Sequence, residues 1–310
     1  MSQLLADVLR HPSFSAGLRP GVLALGVGLL VALVWRAAGD ELPPVAGLLL
    51  GSAAIFGLAS SGRLPDGLVL GLAALGVGGL LAEALGTKPL VLAGFAVPGA
   101  YVLVAHAELV DVVWVRLLVG GAIVLGSVLL TDFDARWAEQ GAGPVLIAIS
   151  GAAIWAIVPD TEQALVLLGA AIPLCLLGWP RAVAAIGPGG SCVAVGVLAW
   201  TGAAGGADRL SSIIGATASL GLFFVEPLSL WFAKVRSGPF VRVAGQWWAV
   251  FPLATAHVML VLVAGRFAGV QRTVAVAAWV AATALGAAVI VAALVGRRLD
   301  REFEPFGPTN

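Results

Sequence analysis

The chain has 310 residues, of which 60% are hydrophobic and 11% are charged, and its formal net charge at pH 7 is zero. A soluble domain carries roughly 25% charged residues, because the surface of a globule needs polar cover. This composition excludes a soluble globular protein, and the charge balance gives no indication of a nucleic-acid partner. The sequence predicts an integral membrane protein, with the lipid bilayer as its main partner and no soluble domain.

Segment 1–20 is predicted to lie in the membrane interface. Its stretch SQLLADVLRHP places leucine and valine side chains on one helical face and ends at Pro12, which is the pattern of an interfacial amphipathic helix. The apolar run GVLALGVGLLVALVW that follows leads directly into Arg36 rather than into a small-residue cleavage site. We therefore expect a retained first span rather than a removed signal peptide.

Residues 21–296 are predicted to form an all-α transmembrane bundle of about eleven helices. The runs are apolar on every side, whereas the strands of a membrane barrel alternate between apolar and polar residues. Helices also satisfy their own backbone hydrogen bonds in lipid. The predicted spans are 21–37, 45–61, 67–85, 89–106, 113–131, 143–158, 163–179, 190–206, 210–230, 246–264 and 273–295, and a short polar tail, 297–310, follows them.

The distribution of basic residues favours one orientation. With eleven spans, the loops on the side of the C-terminus hold more Lys and Arg than the loops on the opposite side. The positive-inside rule then places the C-terminus in the cytoplasm. We expect the host membrane to be the plasma (inner) membrane.

The bundle is expected to be tightly packed. Glycine and alanine crowd the spans, as in GLLLG (47–51), and small residues let helices approach closely in lipid. Cys175 and Cys192 show no metal-binding spacing and are expected to be small core residues. The glycine-rich GPGGS (187–191) lacks the lysine and spacing of a phosphate-binding loop, so it is expected to be a flexible turn into a span.

An internal similarity suggests a repeat. LVLAGFAVP (90–98) and LVLLGAAIP (165–173) share their final proline and fall in spans that would cross the membrane in opposite directions. Inverted repeats with matching helix breaks, here at Pro98 and Pro173, are typical of transporters. Pro252 is a third predicted helix break. Chance is the alternative, because an alphabet dominated by Ala, Leu, Val and Gly produces short matches.

Asp132 and Asp134 form the most conspicuous acid pair, in the polar stretch LLTDFDARWAEQGAGP. Two carboxylates at this spacing can hold a divalent metal that bridges substrate phosphates. The other interpretation is a hydrated loop, because no further carboxylates follow with useful spacing. The pair is therefore a weak metal candidate, and no cofactor is expected.

Three other residues are candidates for transport or binding. Glu226 directly precedes Pro227 near a span end, where a carboxylate can relay a proton or cation or can pair with a nearby basic residue. His257 lies mid-span, as a protonation switch or as a structural hydrogen-bonding group. Arg116 lies just inside its span, where it can snorkel to the interface or hold an anion in the bundle.

Three functions fit the sequence. The first is a carrier or flippase-type transporter of a small solute or lipid-linked molecule. The second is a non-catalytic membrane subunit or scaffold of a larger membrane complex; partner membrane subunits or a homo-oligomer are the expected protein partners. The third is an intramembrane enzyme that acts on a lipid-linked substrate through Asp132 and Asp134. The sequence contains no HExxH, no GxSxG, no aspartate-rich prenyl-diphosphate motif and no haem-binding His pair, so it favours a protein that is not an enzyme.

Overall fold

The computed structural model describes residues 9–39, 42–86, 88–106, 112–137, 162–178 and 182–204. These residues contain seven helices and no strands, which confirms the all-helical prediction for this part of the chain. The helices are α1 (Pro12–Ala38), α2 (Ala46–Ser60), α3 (Asp66–Ala84), α4 (Pro89–His106), α5 (Val113–Trp137), α6 (Glu162–Gly178) and α7 (Pro188–Ala204). Outside the described residues lie the predicted spans 143–158, 210–230, 246–264 and 273–295, together with Glu226, Pro252 and His257.

The described helices have the length and composition of membrane helices. α1, α3 and α5 each contain a stretch that is long and apolar enough to cross a membrane, and α2, α4 and α6 are shorter apolar helices. Large hydrophobic side chains such as Leu23, Leu33 and Leu90 are exposed on their outer faces. Water would not tolerate so many exposed apolar groups, whereas lipid does.

Helix α1 begins earlier than the predicted first span. It starts at Pro12 and continues without interruption through Pro20, so residues of the predicted interfacial segment belong to the first long helix. Pro12 occupies the first helical position, where its missing N–H group costs nothing, and the His11 side chain accepts the Ser13 N–H at 3.3 Å. Pro20 removes only one helical hydrogen bond.

Helix α5 also extends past its predicted end at residue 131. It continues to Trp137, so the first part of the stretch predicted as a loop is helical. The polar residues there are accommodated because Asp134 turns inward and finds hydrogen-bond donors, while Asp132 is exposed.

The helices alternate between two ends of the bundle. The Asp134 end contains the end of α5 and the starts of α2 and α7, because Asp134 bonds to Gly187 and the Ala46 N–H bonds to the Ala185 carbonyl. The Glu162 end contains the starts of α1 and α6, because Ser13 bonds to Glu162. The 15 residues of α2 separate the two ends by about 20 Å, at 1.5 Å per residue.

Within the described part of the chain, the helices fall into two groups. The first group is α1, α2 and α6, and the second is α3, α4, α5 and α7; each helix packs mainly against members of its own group. The groups meet chiefly where α2 packs against α7. Helix α7 is central, because its described side chains from residue 189 to 203 are buried on every side, as expected of a helix that is apolar all round.

Glycines allow the closest helix contacts. A Cβ atom at Gly17 of α1 would collide with the backbone carbonyl of Val166 on α6, and one at Gly47 of α2 would lie 2.5 Å from the Cα atom of Gly190 on α7. No side chain fits at either place, so the predicted role of small residues in close packing is met at these contacts.

The two prolines predicted as helix breaks do not interrupt their helices. α4 continues on both sides of Pro98, and α6 continues on both sides of Pro173. Each proline removes one N–H group that would bond the residue four positions earlier, which is Gly94 in α4 and Gly169 in α6. The remaining helical bonds are sufficient to hold both helices together.

The described contacts do not support the inverted repeat. Under that repeat, α4 and α5 would correspond to α6 and α7, yet α4 packs against α5 whereas α6 and α7 form no close pair. The equivalent glycines also differ: a Cβ atom at Gly169 would meet the α1 backbone, whereas Gly94 faces open space. The matching residues of the two segments, 90–98 and 165–173, therefore lie in different environments.

We predict that Gly17→Leu strongly destabilises the protein, because the new side chain must displace the α6 backbone at Val166. Overpacking of a core costs about 1–3 kcal/mol, and a rigid backbone neighbour puts this variant at or above that range. Gly26→Leu on the same helix is the matched control, because no atom lies within 4 Å of its Cβ position. Melting in detergent, followed by size-exclusion chromatography, measures the difference; equal midpoints would contradict the close contact.

Candidate functional site

A short non-helical segment, residues 182–187, joins α6 to α7 at the Asp134 end, and we call it the connector. Ala182, Ala184, Ile186 and Gly187 are buried in it. Each backbone N–H group from residue 183 to residue 187 has an acceptor. Val183 and Ala184 donate to the Leu177 carbonyl at 2.8 and 3.2 Å, Ala185 donates to the Pro43 carbonyl at 3.0 Å, and Ile186 and Gly187 each donate to Asp134 Oδ2 at 3.0 Å.

Asp134 is the buried carboxylate of this site. Its residue is 5% exposed, and a single oxygen accepts two consecutive N–H groups. Those groups lie directly before Pro188, the first residue of α7, which has no N–H of its own. A carboxylate at a helix N-terminus is also favoured by the helix dipole. Asp134 therefore caps α7 from a different helix.

The shape of the connector depends on Gly187. Its φ is +74°, a left-handed conformation that side chains disfavour, and a Cβ atom there would lie 2.5 Å from the Cβ atom of Pro44. The adjoining Ala185 carbonyl accepts the Ala46 N–H at 2.9 Å. The stretch GPGGS is predicted to be a flexible turn. In the structure its first residue, Gly187, is buried and hydrogen-bonded, and helix α7 begins at the next residue, Pro188.

Asp132 and Asp134 do not converge. Both lie on α5, and residues two positions apart on a helix point about 200° apart; accordingly, Asp132 is exposed and Asp134 is buried. Among the described residues, no group of three or more His, Cys, Asp or Glu side chains could hold a metal ion. In the described site, the Asp134 carboxylate acts as a hydrogen-bond acceptor for two backbone N–H groups.

Arg116 lies in the first turn of α5, at the Glu162 end, and is half-buried. Asp134 lies 18 residues further along the same helix, which places the two charges about 27 Å apart. The structure therefore does not bring Arg116 and Asp134 into one site. The half-buried position is compatible with either interpretation of Arg116.

The hydroxyl groups within the bundle mostly bond to their own helices. Ser127 donates to the Ile123 carbonyl at 2.8 Å, and Thr201 donates to the Val197 carbonyl at 2.7 Å. Ser191 Oγ and Trp200 Nε1, both on α7, are buried and have no hydrogen-bond partner among the described residues. Unpaired buried polar atoms are uncommon, and both lie on the central helix.

A second polar cluster fixes the Glu162 end. The Ser13 hydroxyl donates to Glu162 Oε2 at 2.6 Å, and Arg63 Nη2 lies 2.6 Å from Glu162 Oε1. Glu162 precedes the apolar run of α6, and both charged side chains are about one-third exposed. The Ser13 hydrogen bond and the Arg63 charge lower the pKa of Glu162 below its ordinary value. The cluster joins the start of α1, the turn after α2 and the start of α6.

Sequence reasoning missed both polar clusters. The sequence pattern pairs Asp134 with Asp132, whereas the partners of Asp134 in the structure are backbone groups more than fifty positions away. One signal was available, because Gly187 followed by Pro188 marks a helix start that needs an acceptor. No local signal pairs Arg63 with Glu162. Comparison of the sequence with models of known protein families and with curated proteins finds no match.

We predict that Asp134→Ala destabilises the protein, because two buried N–H groups would lose their acceptor. Each unsatisfied buried donor costs about 1–3 kcal/mol. Leu117→Ala truncates an exposed side chain on the same helix and should change stability by less than about 0.5 kcal/mol. Melting midpoints in detergent compare the two variants, and equal midpoints would exclude the capping role of Asp134.

We predict that the Glu162 cluster weakens in acid. Because the pKa of Glu162 is lowered in the folded protein, its stabilisation is complete above the ordinary value of 4.5 and is lost as the pH falls through the lowered value. The loss is less than about 1 kcal/mol, since the pair is partly exposed. Melting midpoints from about pH 7 to pH 3 should depend less on pH in Glu162→Gln than in the wild type. Parallel profiles for the wild type and Glu162→Gln would refute the prediction.

Proposed function

We propose that this protein is a polytopic carrier of about eleven spans that moves a small solute or a lipid-linked molecule across the plasma (inner) membrane. In this proposal the seven described helices form the scaffold, and Glu226, His257 and Arg116 are the candidate transport residues. The C-terminus is cytoplasmic, as the distribution of basic residues favours.

The observation that carries this proposal is the buried connector. In lipid, a non-helical backbone is tolerated only where the protein itself supplies hydrogen-bond partners, as in the re-entrant and broken-helix regions of transporters. The connector meets this condition, because each N–H group from residue 183 to 187 has an acceptor. The connector lies between the ends of two helices, and the support it gives to a transport protein is its burial and the pairing of its N–H groups beside the central helix α7.

The positions of the helix ends support additional spans. α5 ends at the Asp134 end, and α6 starts at the Glu162 end. The 24 residues between Trp137 and Glu162 must therefore join opposite ends of the bundle, which fits the proposed span 143–158. An odd total of eleven spans places the two termini on opposite sides of the membrane.

We predict that Glu226→Gln lowers transport at least tenfold without loss of folded protein, because the proposed relay requires a carboxylate. A ligand is first found by screening small solutes and lipid-linked molecules for those that raise the melting temperature. Uptake of that ligand into proteoliposomes is then measured for the wild type and the variant. Glu83→Gln, which removes a half-buried carboxylate near the end of α3, is the matched control and should transport normally. Full activity of Glu226→Gln would remove Glu226 from the proposed site.

A second candidate function is a non-catalytic subunit or scaffold, and one observation favours it. The described carboxylates Asp134 and Glu162 both have hydrogen bonds within the chain, so both are engaged in holding the fold rather than in binding a solute. Native mass spectrometry after gentle purification distinguishes the two functions. Stoichiometric partner chains would favour the subunit, and a protein that arrives alone or with a bound solute or lipid would favour the carrier. The enzyme alternative draws no support from the separated Asp132 and Asp134.

A further inference from the structure

Helices α6 and α7 are consecutive and antiparallel, yet within the described part of the chain they form no close pair, whereas α2 packs against both. A Cβ atom at Gly57 of α2 would lie 2.6 Å from the Val166 side chain of α6, and one at Gly47 of α2 would lie 2.5 Å from Gly190 of α7. Helix α2 therefore fills one side of the space between α6 and α7.

The side of α6 that turns away from these contacts is nevertheless buried. Val166 faces both Gly57 of α2 and Gly17 of α1. Ala171 lies five positions after Val166 and Ala164 lies two positions before it, so both point about 140–160° away from Val166 at about 100° per residue. Ala164 is 0% exposed and Ala171 is 1% exposed. Groups other than α1 and α2 therefore cover this side of α6.

One side of α7 is buried in the same way. Gly190 faces α2, Gly189 faces α3 and Cys192 faces α5. Ser191 and Val195 point about 100° and 140° away from Gly190, into the sector between α2 and α5. Both residues are 0% exposed, and the Ser191 hydroxyl has no hydrogen-bond partner among the described residues.

These two buried sides face each other. On each helix the buried side is reached by turning in the same sense along the sequence from the residue that faces α2. Because the helices run in opposite directions, the two turns are toward the same side of the α6–α7 pair. Helix α5 borders this side, since it packs against α7 but forms no close pair with the described residues of α6. We call the space between α5, α6 and α7 the slot; its walls include Ala164, Ala171, Ser191 and Val195.

The chain between α5 and α6 has both of its ends at the slot. Its 24 residues, 138–161, follow α5 at the Asp134 end and precede α6 at the Glu162 end. They therefore connect the two helices that border the slot and run from one end of the slot to the other. The predicted span 143–158 has 16 apolar or small residues, GPVLIAISGAAIWAIV, and as a helix it is about 24 Å long. Helices α6 and α7, with 17 residues each, have nearly the same length.

We propose that the span 143–158 lies in the slot, packed against α5, α6 and α7, as an eighth helix of the scaffold. The alanines on the α6 wall and the small residues of the span allow the close approach that packing in lipid requires. Helix α7 is then enclosed by protein between α2, α3, α5 and the span. This inference rests on the span 143–158 of the proposed function. The span 210–230, which follows α7, is the competing occupant.

Disulfide cross-linking of the full chain in nanodiscs tests this placement. Cys175 and Cys192 are replaced by alanine, and Val195→Cys is combined in turn with a single cysteine at each position from 147 to 153. These positions match the depth of Val195, because Val195 comes seven residues after the start of α7 at Pro188 and position 150 comes seven residues after the start of the span. After mild oxidation, mass spectrometry of the digested protein measures the yield of each disulfide.

Three comparisons accompany this series. Val193→Cys is the matched control, because it is the same substitution on the same helix and Val193 faces Gly51 of α2. Single cysteines at positions 216–222, combined with Val195→Cys, test the span 210–230. Ser191→Cys with positions 143–149 is a second site that changes the side chain very little, and it decides the result if Val195→Cys does not fold.

We expect Val195→Cys to form disulfides at positions three or four residues apart within 147–153, with yields about tenfold above those of Val193→Cys, because a disulfide requires Cα atoms within about 7 Å. Ser191→Cys should likewise react within 143–149. Three results would overturn the placement: no disulfide from either site in variants that keep the wild-type size-exclusion profile, equal yields from Val193→Cys, or disulfides with 216–222 instead.

The two proposals can fail separately. These disulfides in a protein that transports no ligand from the screen, and that arrives with stoichiometric partner chains, would keep the span in the slot and reject the carrier. Uptake by a protein that forms none of these disulfides would keep the carrier and reject the placement of the span.

Discussion

The described structure depends on one constraint: backbone N–H and carbonyl groups away from water must find partners within the protein. The seven helices satisfy most of these groups internally. The connector cannot, because it is not helical, and its N–H groups from residue 183 to 187 are satisfied instead by Leu177, Pro43 and Asp134. Those acceptors belong to the end of α6, the chain before α2 and the end of α5. Pairing these few backbone groups therefore fixes how three separate parts of the chain meet.

Asp134 shows how this constraint determines the structural role of a charged residue. A carboxylate in an apolar bundle is costly unless it is hydrogen-bonded, and two N–H groups next to the start of α7 provide that bonding. Its neighbour Asp132 lies on the exposed side of the same helix. Asp132 and Asp134 look like a pair in the sequence, but they point to different sides of α5 and therefore have separate environments.

The same bonding pattern relates the fold to the proposed function. Where the connector passes from one helix group to the other, its hydrogen bonds change from partners in the first group to Asp134 in the second. The turn near Gly62 makes the corresponding change at the opposite end of the bundle. These two crossings, together with the close contact between α2 and α7 at Gly47 and Gly190, hold the two helix groups together as one scaffold for the proposed carrier.

The sequence by itself determined that the chain is apolar and that its described part is helical, because only helices and closed barrels satisfy their backbone in lipid and the runs lack the alternation of barrel strands. It also located α4 to the residue and four other helices within two residues, because glycine, proline and charge interrupt the apolar runs. Tertiary structure decided the rest. The extension of α5 past residue 131, the inward direction of Asp134 and the pairing of Arg63 with Glu162 depend on partners distant in sequence. The local sequence pattern does not indicate which residues these partners are, because they become neighbours only when the helices pack.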